Sequence, residues 1–172
     1  MIKQQKGIGL VEILVSLFIL AIGVLGFSAL QLKAIESSAE AMTKLQAMNL
    51  GRDLAERIRA NSTAYSNYAT KINAETQSTT AKSCVQNTET VPCSTPSDLS
   101  TYDAAQVIKK ARDLGMTIKM PKCKVVASGQ DRNCIYIAWN DTQAIDSSTN
   151  NKACTNDGSY LPQSKCIVME IY

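Results

Sequence analysis

The sequence predicts an α+β protein in which one long N-terminal α-helix packs on a small antiparallel β-sheet. No proline occurs in residues 1–91, so a helix can continue from the apolar N-terminus into the polar part of the chain. After residue 115, short runs rich in β-branched and aromatic residues alternate with polar turns, which is typical of strands. With 172 residues, the chain has the length of one domain with a modest core.

The predicted helix begins with an apolar segment that is long enough to cross a membrane. Residues 13–30 carry no charge, and Ser16 and Ser28 are their only polar side chains. At about 1.5 Å per residue, a helix over this segment covers about 27 Å, close to the thickness of a bilayer core. Because Lys3 and Lys6 precede the segment, we expect the N-terminus in the cytoplasm and the chain beyond Leu30 outside.

The helix is expected to continue to about residue 60 as an amphipathic half. Its apolar stripe predicts packing against the chain's own globular part over most of its length, with a partner helix as the alternative for the rest. The stripe consists of Ile35, Met42, Leu45, Met48, Leu50, Leu54, Ala55 and Ile58. Gly51 lies inside this half, where a glycine costs about 1 kcal/mol relative to alanine.

The remaining predicted elements are short. Residues 61–98 are rich in Ser, Thr and Asn, which predicts a long loop outside the core. Apolar residues at helical spacing predict an amphipathic helix from Asp103 to Leu114, and Gly115 ends it. The strands of the antiparallel sheet are predicted at Met116–Met120, Cys123–Ala127, Cys134–Trp139 and Cys166–Ile171.

Composition argues against several classes of function. Histidine is absent, which removes the commonest general base and metal ligand, and no local motif sets a serine beside a lysine for catalysis. The net charge of +3 comes from interspersed positive and negative residues, which form no basic stripe for nucleic acid. We therefore expect no enzyme, no cofactor, no metal and no nucleic-acid partner. A membrane-anchored extracytoplasmic enzyme is the least favoured alternative.

Six cysteines follow the apolar segment, and none of them forms a CxxC pair. An even number of widely spaced cysteines beyond a membrane segment favours disulfides in an oxidising compartment over a zinc site. Six cysteines allow fifteen pairings. Proximity in the sequence favours Cys84 with Cys93, Cys123 with Cys134, and Cys154 with Cys166.

Glu12 stands where the apolar segment begins, and nothing nearby in the sequence neutralises it. A carboxylate in a bilayer core costs several kcal/mol, and such residues tend to have a partner. Two interpretations are open. The side chain reaches the lipid headgroups as an interfacial residue, or it is buried for a purpose and receives a cation from another molecule.

The run Lys6-Gly7-Ile8-Gly9-Leu10-Val11-Glu12 resembles the class III (prepilin) signal of type IV pilins and type II secretion pseudopilins. The resemblance implies that a prepilin peptidase cleaves after Gly7 and methylates Ile8, the mature N-terminus. Residues 1–7 are then a leader peptide, residues 8–30 the transmembrane half of the helix, and residues 31–172 the extracytoplasmic head with the amphipathic half. It also implies that Glu12 pairs with the N-terminal amine of a neighbouring subunit.

The stretch ILVSLFILAIGVLGFSALQLKA is similar to PilV-type minor pilins, the type IV pilus modification proteins. This similarity implies a subunit that helps to initiate or promote assembly of a pilus for twitching motility, attachment or DNA uptake. Its implied partners are other minor and major pilins, the prepilin peptidase, the inner-membrane assembly platform and a tip adhesin. The implied location is the bacterial inner membrane before assembly and the pilus at the cell surface afterwards.

A type II secretion pseudopilin is the alternative within the same class. Heads of that group are generally smaller or bind calcium, and the six cysteines favour the pilus. Asp141, Asp146 and Asp157 are scattered among Ser, Thr and Asn, so we interpret them as turn residues rather than calcium ligands.

Overall fold

The computed structural model of the chain describes residues 8–85, 93–123 and 132–171. The helices are α1 (Ile8–Ala60), α2 (Tyr65–Asn73) and α3 (Pro96–Asp113), with a 3₁₀ turn at Ser62–Ala64. The strands are β1 (Met116–Lys119), β2 (Asn133–Trp139), β3 (Gln143–Asp146), β4 (Ala153–Asn156), β5 (Ser159–Tyr160) and β6 (Cys166–Ile171). These elements confirm the α+β class. Residues 124–127 of the strand predicted at Cys123–Ala127 lie outside the described residues.

The chain divides into two units, Met1–Thr43 and Lys44–Tyr172. The long helix predicted from the sequence is confirmed as α1, which has 53 residues. Within the second unit, the buried row of α1 consists of Ala47, Leu50, Leu54 and Ile58.

The expectation that the apolar stripe of α1 packs against the globular part is wrong for its earlier members. Leu45 and Met48 are 57% and 39% exposed, and Ile35 and Met42 are exposed as well. At about 100° per residue, Leu45 lies on the opposite side of the helix from the buried row. Leu50, Leu54, Ala55 and Ile58 of the predicted stripe therefore face the core, whereas its members up to Met48 do not.

Gly51 lies on the buried face of α1, where the sheet approaches the helix closely. A Cβ atom at this position would lie 2.5 Å from Met169 Sδ on β6 and 3.2 Å from Ile137 Cδ1 on β2. A Cβ atom that close would force the Met169 and Ile137 side chains to shift within the packed core. The glycine thus allows the close packing of helix and sheet, which offsets its unfavourable helix propensity.

The helix α2 contradicts the prediction of a long loop over residues 61–98. Tyr65, Tyr68 and Ile72 recur at steps of three and four, and Tyr68 and Ile72 are fully buried. Ser, Asn, Thr and Lys lie between these residues, so the stretch has a polar composition although its apolar residues recur at helical spacing. Part of the predicted loop therefore belongs to the core.

The helix α3 begins seven residues before the predicted start, at Pro96 instead of Asp103. Thr95 caps it, because Thr95 Oγ1 accepts a hydrogen bond from the Asp98 backbone N–H at 3.1 Å. Proline suits the first helical position that follows such a cap. The end is as predicted, since Gly115 adopts a positive φ of 68° directly beyond the helix.

The main sheet is antiparallel, as the sequence predicted, and its strand order is β1-β2-β6. The central strand β2 is buried on both faces. Ile135, Ile137 and Trp139 belong to the core that the helices form with the sheet. Cys134, Tyr136 and Ala138 belong to a second core on the opposite face.

A second, smaller sheet with the order β3-β4-β5 was not predicted. A series of hydrogen bonds connects this sheet to the main sheet. In it, the Tyr136 hydroxyl lies 3.1 Å from Thr155 Oγ1. Thr155 in turn donates to Asp146 Oδ1 at 2.6 Å, and the Gly158 backbone N–H donates to the same oxygen. Asp157 and Gly158 both have positive φ in the turn between β4 and β5. Asp157 therefore lies in a turn, as interpreted, whereas Asp146 is the last residue of β3 and accepts hydrogen bonds from Thr155 and Gly158.

All six cysteines form disulfides, and the pairs are the three that sequence proximity favours. They are Cys84–Cys93, Cys123–Cys134 and Cys154–Cys166, with Cα–Cα distances of 5.1, 5.1 and 5.8 Å. The last of these joins β4 to β6 and so links the two sheets covalently.

A polar network connects the three helices of the second unit. The Tyr68 hydroxyl donates to Asp103 Oδ2 at 2.7 Å, and Arg57 donates to both Asp103 and Asp53. Burial, reinforced by the Asp103 carboxylate, raises the pKa of Tyr68 far above its usual range. Burial also opposes ionisation of Asp53, but hydrogen bonds from Arg57 and Lys110 outweigh it, and the pKa of Asp53 is lowered.

Candidate assembly site on the N-terminal helix

The first part of α1 presents its apolar side chains outward. Residues 9–39 are all exposed, and the large apolar residues from Leu10 to Ile35 are between 51% and 72% exposed. The most apolar window of the helix has a mean hydropathy of 2.6 and none of it is buried. By length and composition, this helix can cross a membrane.

Glu12 lies one helical turn after Ile8, and its side chain is exposed. The next ionisable residue along the chain is Lys33, which pairs with Glu36 at 2.8 Å. The hydrogen bond with Glu36 raises the pKa of Lys33. Over the described residues, no cation of the same chain contacts the carboxylate of Glu12.

The two serines of the apolar segment satisfy their hydroxyls within the helix. Ser16 Oγ donates to the Glu12 carbonyl oxygen at 2.7 Å, and Ser28 Oγ donates to the Val24 carbonyl oxygen at 2.9 Å. Such bonds to the preceding turn let a hydroxyl lie in an apolar environment without an unsatisfied donor. Within the described residues, Glu12 is therefore the polar side chain at this end of the helix that has no hydrogen-bond or ion-pair partner.

Small residues share the face of the helix on which Glu12 lies. At about 100° per residue, Gly9, Glu12, Ser16 and Gly23 fall within an arc of about 60°. A Cβ atom added at Gly9, Gly23 or Gly26 would meet nothing within 4 Å. The sequence analysis did not single out this face, although its signal is present as small residues repeated every seven positions.

The other predicted positions are placed as follows. Gly7 and the rest of the leader lie outside the described residues, and Ile8 is the first residue of α1. Within the described ranges, no group of three or more acidic or cysteine side chains is arranged to hold a metal ion.

Two protein families match the chain. Residues 2–28 match the prokaryotic N-terminal methylation motif, and residues 29–105 match the family described as type IV pilin Tt1218. The chain is a type IV pilin-like protein. No curated protein and no solved structure matches it significantly.

The two matches confirm the suspected family, and they give a reason for the exposed apolar side chains of the helix. The pilin family points to a structural subunit, and it implies assembly with other pilins and processing by prepilin peptidase. The apolar helix is then suited to membrane anchoring and to assembly into a pilus. The matches end at residue 105, so all six strands lie beyond them.

Proposed function

We propose that this pilin-like protein is a minor pilin of a bacterial type IV pilus, of the PilV type, which helps to initiate or promote pilus assembly. Prepilin peptidase removes residues 1–7 and methylates Ile8. The mature chain then remains anchored in the inner membrane until it assembles with other minor and major pilins. The observation that carries this proposal is Glu12, an exposed carboxylate on an apolar helix, which contacts no cation among the residues that the structure describes.

Cleavage after Gly7 would supply the missing cation, because it creates a positive amine at Ile8. In the proposed filament, Glu12 receives this amine from an adjacent subunit. At about 4 Å and an effective dielectric of about 20, the pair would attract by about 4 kcal/mol before desolvation is subtracted. The pair therefore contributes more to the register of the subunits than to net stability.

The small-residue face supports the same arrangement. A glycine in a helix interior costs about 1 kcal/mol relative to alanine, and no described residue occupies the space beside Gly9 or Gly23. In an apolar environment, small residues let the backbones of two helices approach closely. A neighbouring helix on this face would therefore lie next to Glu12.

The charges and the disulfides support the proposed topology. Lys3 and Lys6 precede the apolar segment, which favours a cytoplasmic N-terminus. The three disulfides all lie on the other side of that segment, and disulfides form and persist outside the reducing cytoplasm. We infer that residues 31–172 are extracytoplasmic and reach the cell surface in the pilus, where motility, attachment or DNA uptake takes place.

Replacement of Glu12 by glutamine tests this proposal. Glutamine has nearly the same shape but cannot neutralise an amine, and breaking a buried pair from one side costs about 3–5 kcal/mol. We expect cleaved Glu12→Gln protein to remain in the membrane and to be depleted in sheared pili by about a hundredfold. The matched control is Glu36→Gln, which removes an exposed carboxylate from the same helix and should enter pili normally.

The amount of cleaved protein in sheared pili, relative to the membrane pool, distinguishes the outcomes. Equal recovery of wild type and Glu12→Gln would make Glu12 an interfacial residue and would remove the main support for the proposal. Wild-type protein that never enters sheared pili, together with loss of protein secretion when the gene is deleted, would indicate a pseudopilin instead.

A further inference from the structure

A cavity of about 360 Å³ opens at the end of β2, between three turns of the head. We call it the polar pocket. Its walls are formed by the segments 140–142, 151–153 and 163–165, and every lining residue except Ala153 has a polar side chain. The volume is near the lower end of the roughly 300–1,000 Å³ that small-molecule sites occupy.

Hydrogen bonds between the three segments fix the walls of the polar pocket. The Trp139 backbone N–H donates to the Lys165 carbonyl oxygen at 3.0 Å, and the Lys165 N–H donates to Thr142 Oγ1 at 2.8 Å. The Gln143 N–H donates to the Lys152 carbonyl oxygen at 2.7 Å. Two bonds between backbone groups and one bond to the Thr142 hydroxyl therefore hold the three segments together.

A disulfide and a turn reinforce this arrangement. Cys154 directly follows Ala153, Cys166 directly follows Lys165, and the Cys154–Cys166 disulfide joins the two segments. Asn140 lies in the turn after β2 with a φ of 57°, in the left-handed region that asparagine tolerates better than most residues. A ligand would therefore meet walls that are already in position, which lowers the entropic cost of binding.

Five polar side chains around the opening of the pocket take no part in the hydrogen bonds of the described structure. Within the described residues, the side chains of Asn140, Asp141, Asn151, Lys152 and Gln163 make no hydrogen bond or ion pair. All five are exposed at the rim. Three carboxamides, one carboxylate and one ammonium group thus converge on one preformed cavity.

We propose that the polar pocket binds an acidic sugar unit, either free or at the end of a surface polysaccharide. Carboxamides donate and accept at once, which matches adjacent sugar hydroxyls, and Asp141 can accept from a further hydroxyl. Lys152 can donate to a sugar carboxylate in a charge-assisted hydrogen bond. The lining contains two lysines and one aspartate, so its formal charge of +1 favours an anionic ligand over a neutral one.

The test uses the full chain in detergent micelles, so it does not depend on pilus assembly. Saturation-transfer NMR with methyl glucuronide is expected to show saturable binding, with a Kd of about 1 mM or tighter. A glucuronic acid oligosaccharide that ends in the same unit should bind equally well if the polysaccharide is the source, and more weakly if the free sugar is. Methyl glucoside, which lacks the carboxylate, should bind at least about tenfold more weakly.

Variants separate the pocket from general charge attraction. Lys152→Gln should weaken methyl glucuronide binding about tenfold, whereas Lys82→Gln makes the same charge change on an exposed lysine elsewhere and should have no effect. Asn140→Gly removes a carboxamide but keeps the positive φ, so it tests the pocket independently if Lys152→Gln misfolds. Absence of saturable binding, equal binding of glucuronide and glucoside, or an equal effect of both lysine variants would overturn the proposal.

Discussion

The two units of the chain use their large apolar residues in opposite ways. In Lys44–Tyr172, residues such as Leu50, Leu54 and Ile72 have no exposed surface. In Met1–Thr43, residues of the same kind are more than half exposed, with Leu10 and Leu30 at 70% and 72%. The sequence of the second unit is thus explained by its own core. The sequence of the first unit is explained by surroundings that the single chain does not contain, which for a pilin-like protein are a membrane and other pilins.

Blocking the leader cleavage should have the largest effect. Gly7→Leu is expected to abolish processing and leave an unassembled precursor in the membrane, because we propose that prepilin peptidase cuts after this glycine. Intact mass of the chain from membranes measures this directly, and the wild-type chain should begin at methylated Ile8. Gly9→Leu is the matched control, since it should still be cleaved although it fills space on the face of Glu12. Wild-type protein from pili that retains Met1 would contradict the prediction.

Removal of the disulfide between the two sheets should have the next largest effect, and only on the second unit. Replacing Cys154 and Cys166 by alanine is expected to lower the free energy of unfolding by about 2–4 kcal/mol. Both cysteines are buried, whereas Cys84 and Cys93 are partly exposed, so the same change at that pair should cost less. Chemical unfolding of the full chain in detergent, followed by Trp139 fluorescence, measures both losses. Thiol titration of the unreduced, denatured wild type should detect no thiol, and any reactive thiol would contradict the three pairs.

The elements that the sequence predicts well are those with strong local signals. α1 has no proline, the end of α3 has a glycine in the required conformation, and β2 and β6 are runs of β-branched and aromatic residues. The disulfide pairs follow sequence proximity because each links positions 9 to 12 residues apart. Short loops of this kind close at a small entropic cost.

The elements that the sequence does not predict depend on contacts far along the chain. The second sheet consists of strands of four, four and two residues, one pair of which is parallel with an irregular register. Such strands are too short to carry a periodic pattern, and they are defined by contacts such as the one between Tyr136 and Thr155. α2 was missed for a similar reason, since Tyr68 packs into a core whose other members lie far along the chain, and its hydroxyl donates to Asp103. Glu12 was identified from the sequence, but its proposed partner lies in another molecule.

A comparison of two helical glycines sharpens the contrast between the units. Gly51→Leu is expected to lower the free energy of unfolding of the head by about 1–3 kcal/mol, because the new side chain would overlap Met169 and Ile137. Gly23→Leu should leave that free energy unchanged, since nothing in the chain lies beside it, but should reduce the protein's recovery in sheared pili. Chemical unfolding and pilus fractionation of both variants measure the two effects. An unchanged free energy of unfolding for Gly51→Leu, together with a lowered one for Gly23→Leu, would contradict this contrast between the two units.

The smallest expected effect concerns Tyr68, and it depends on pH. Tyr68→Phe leaves Asp103 without one of its donors, which should lower the free energy of unfolding at pH 7 by about 1–2 kcal/mol. The pKa of Tyr68 is raised in the folded protein, so the neutral hydroxyl stabilises the fold fully below the ordinary tyrosine value of 10.0. As the pH rises above that value, the unfolded chain of the wild type ionises at this residue and its advantage over the variant falls.

Chemical unfolding of wild type and Tyr68→Phe at pH 7, 9 and about 11 tests this prediction. The other tyrosines are the same in both proteins, so the difference between them isolates Tyr68. Tyr102→Phe is the matched control, because Tyr102 makes no side-chain hydrogen bond in the described part of the chain, and its effect should be small at every pH. A difference for Tyr68→Phe that stays constant or grows with pH would show that the hydroxyl is not held neutral against Asp103. In that case, the polar network of the head would resemble the exposed first unit in depending on solvent rather than on its own packing.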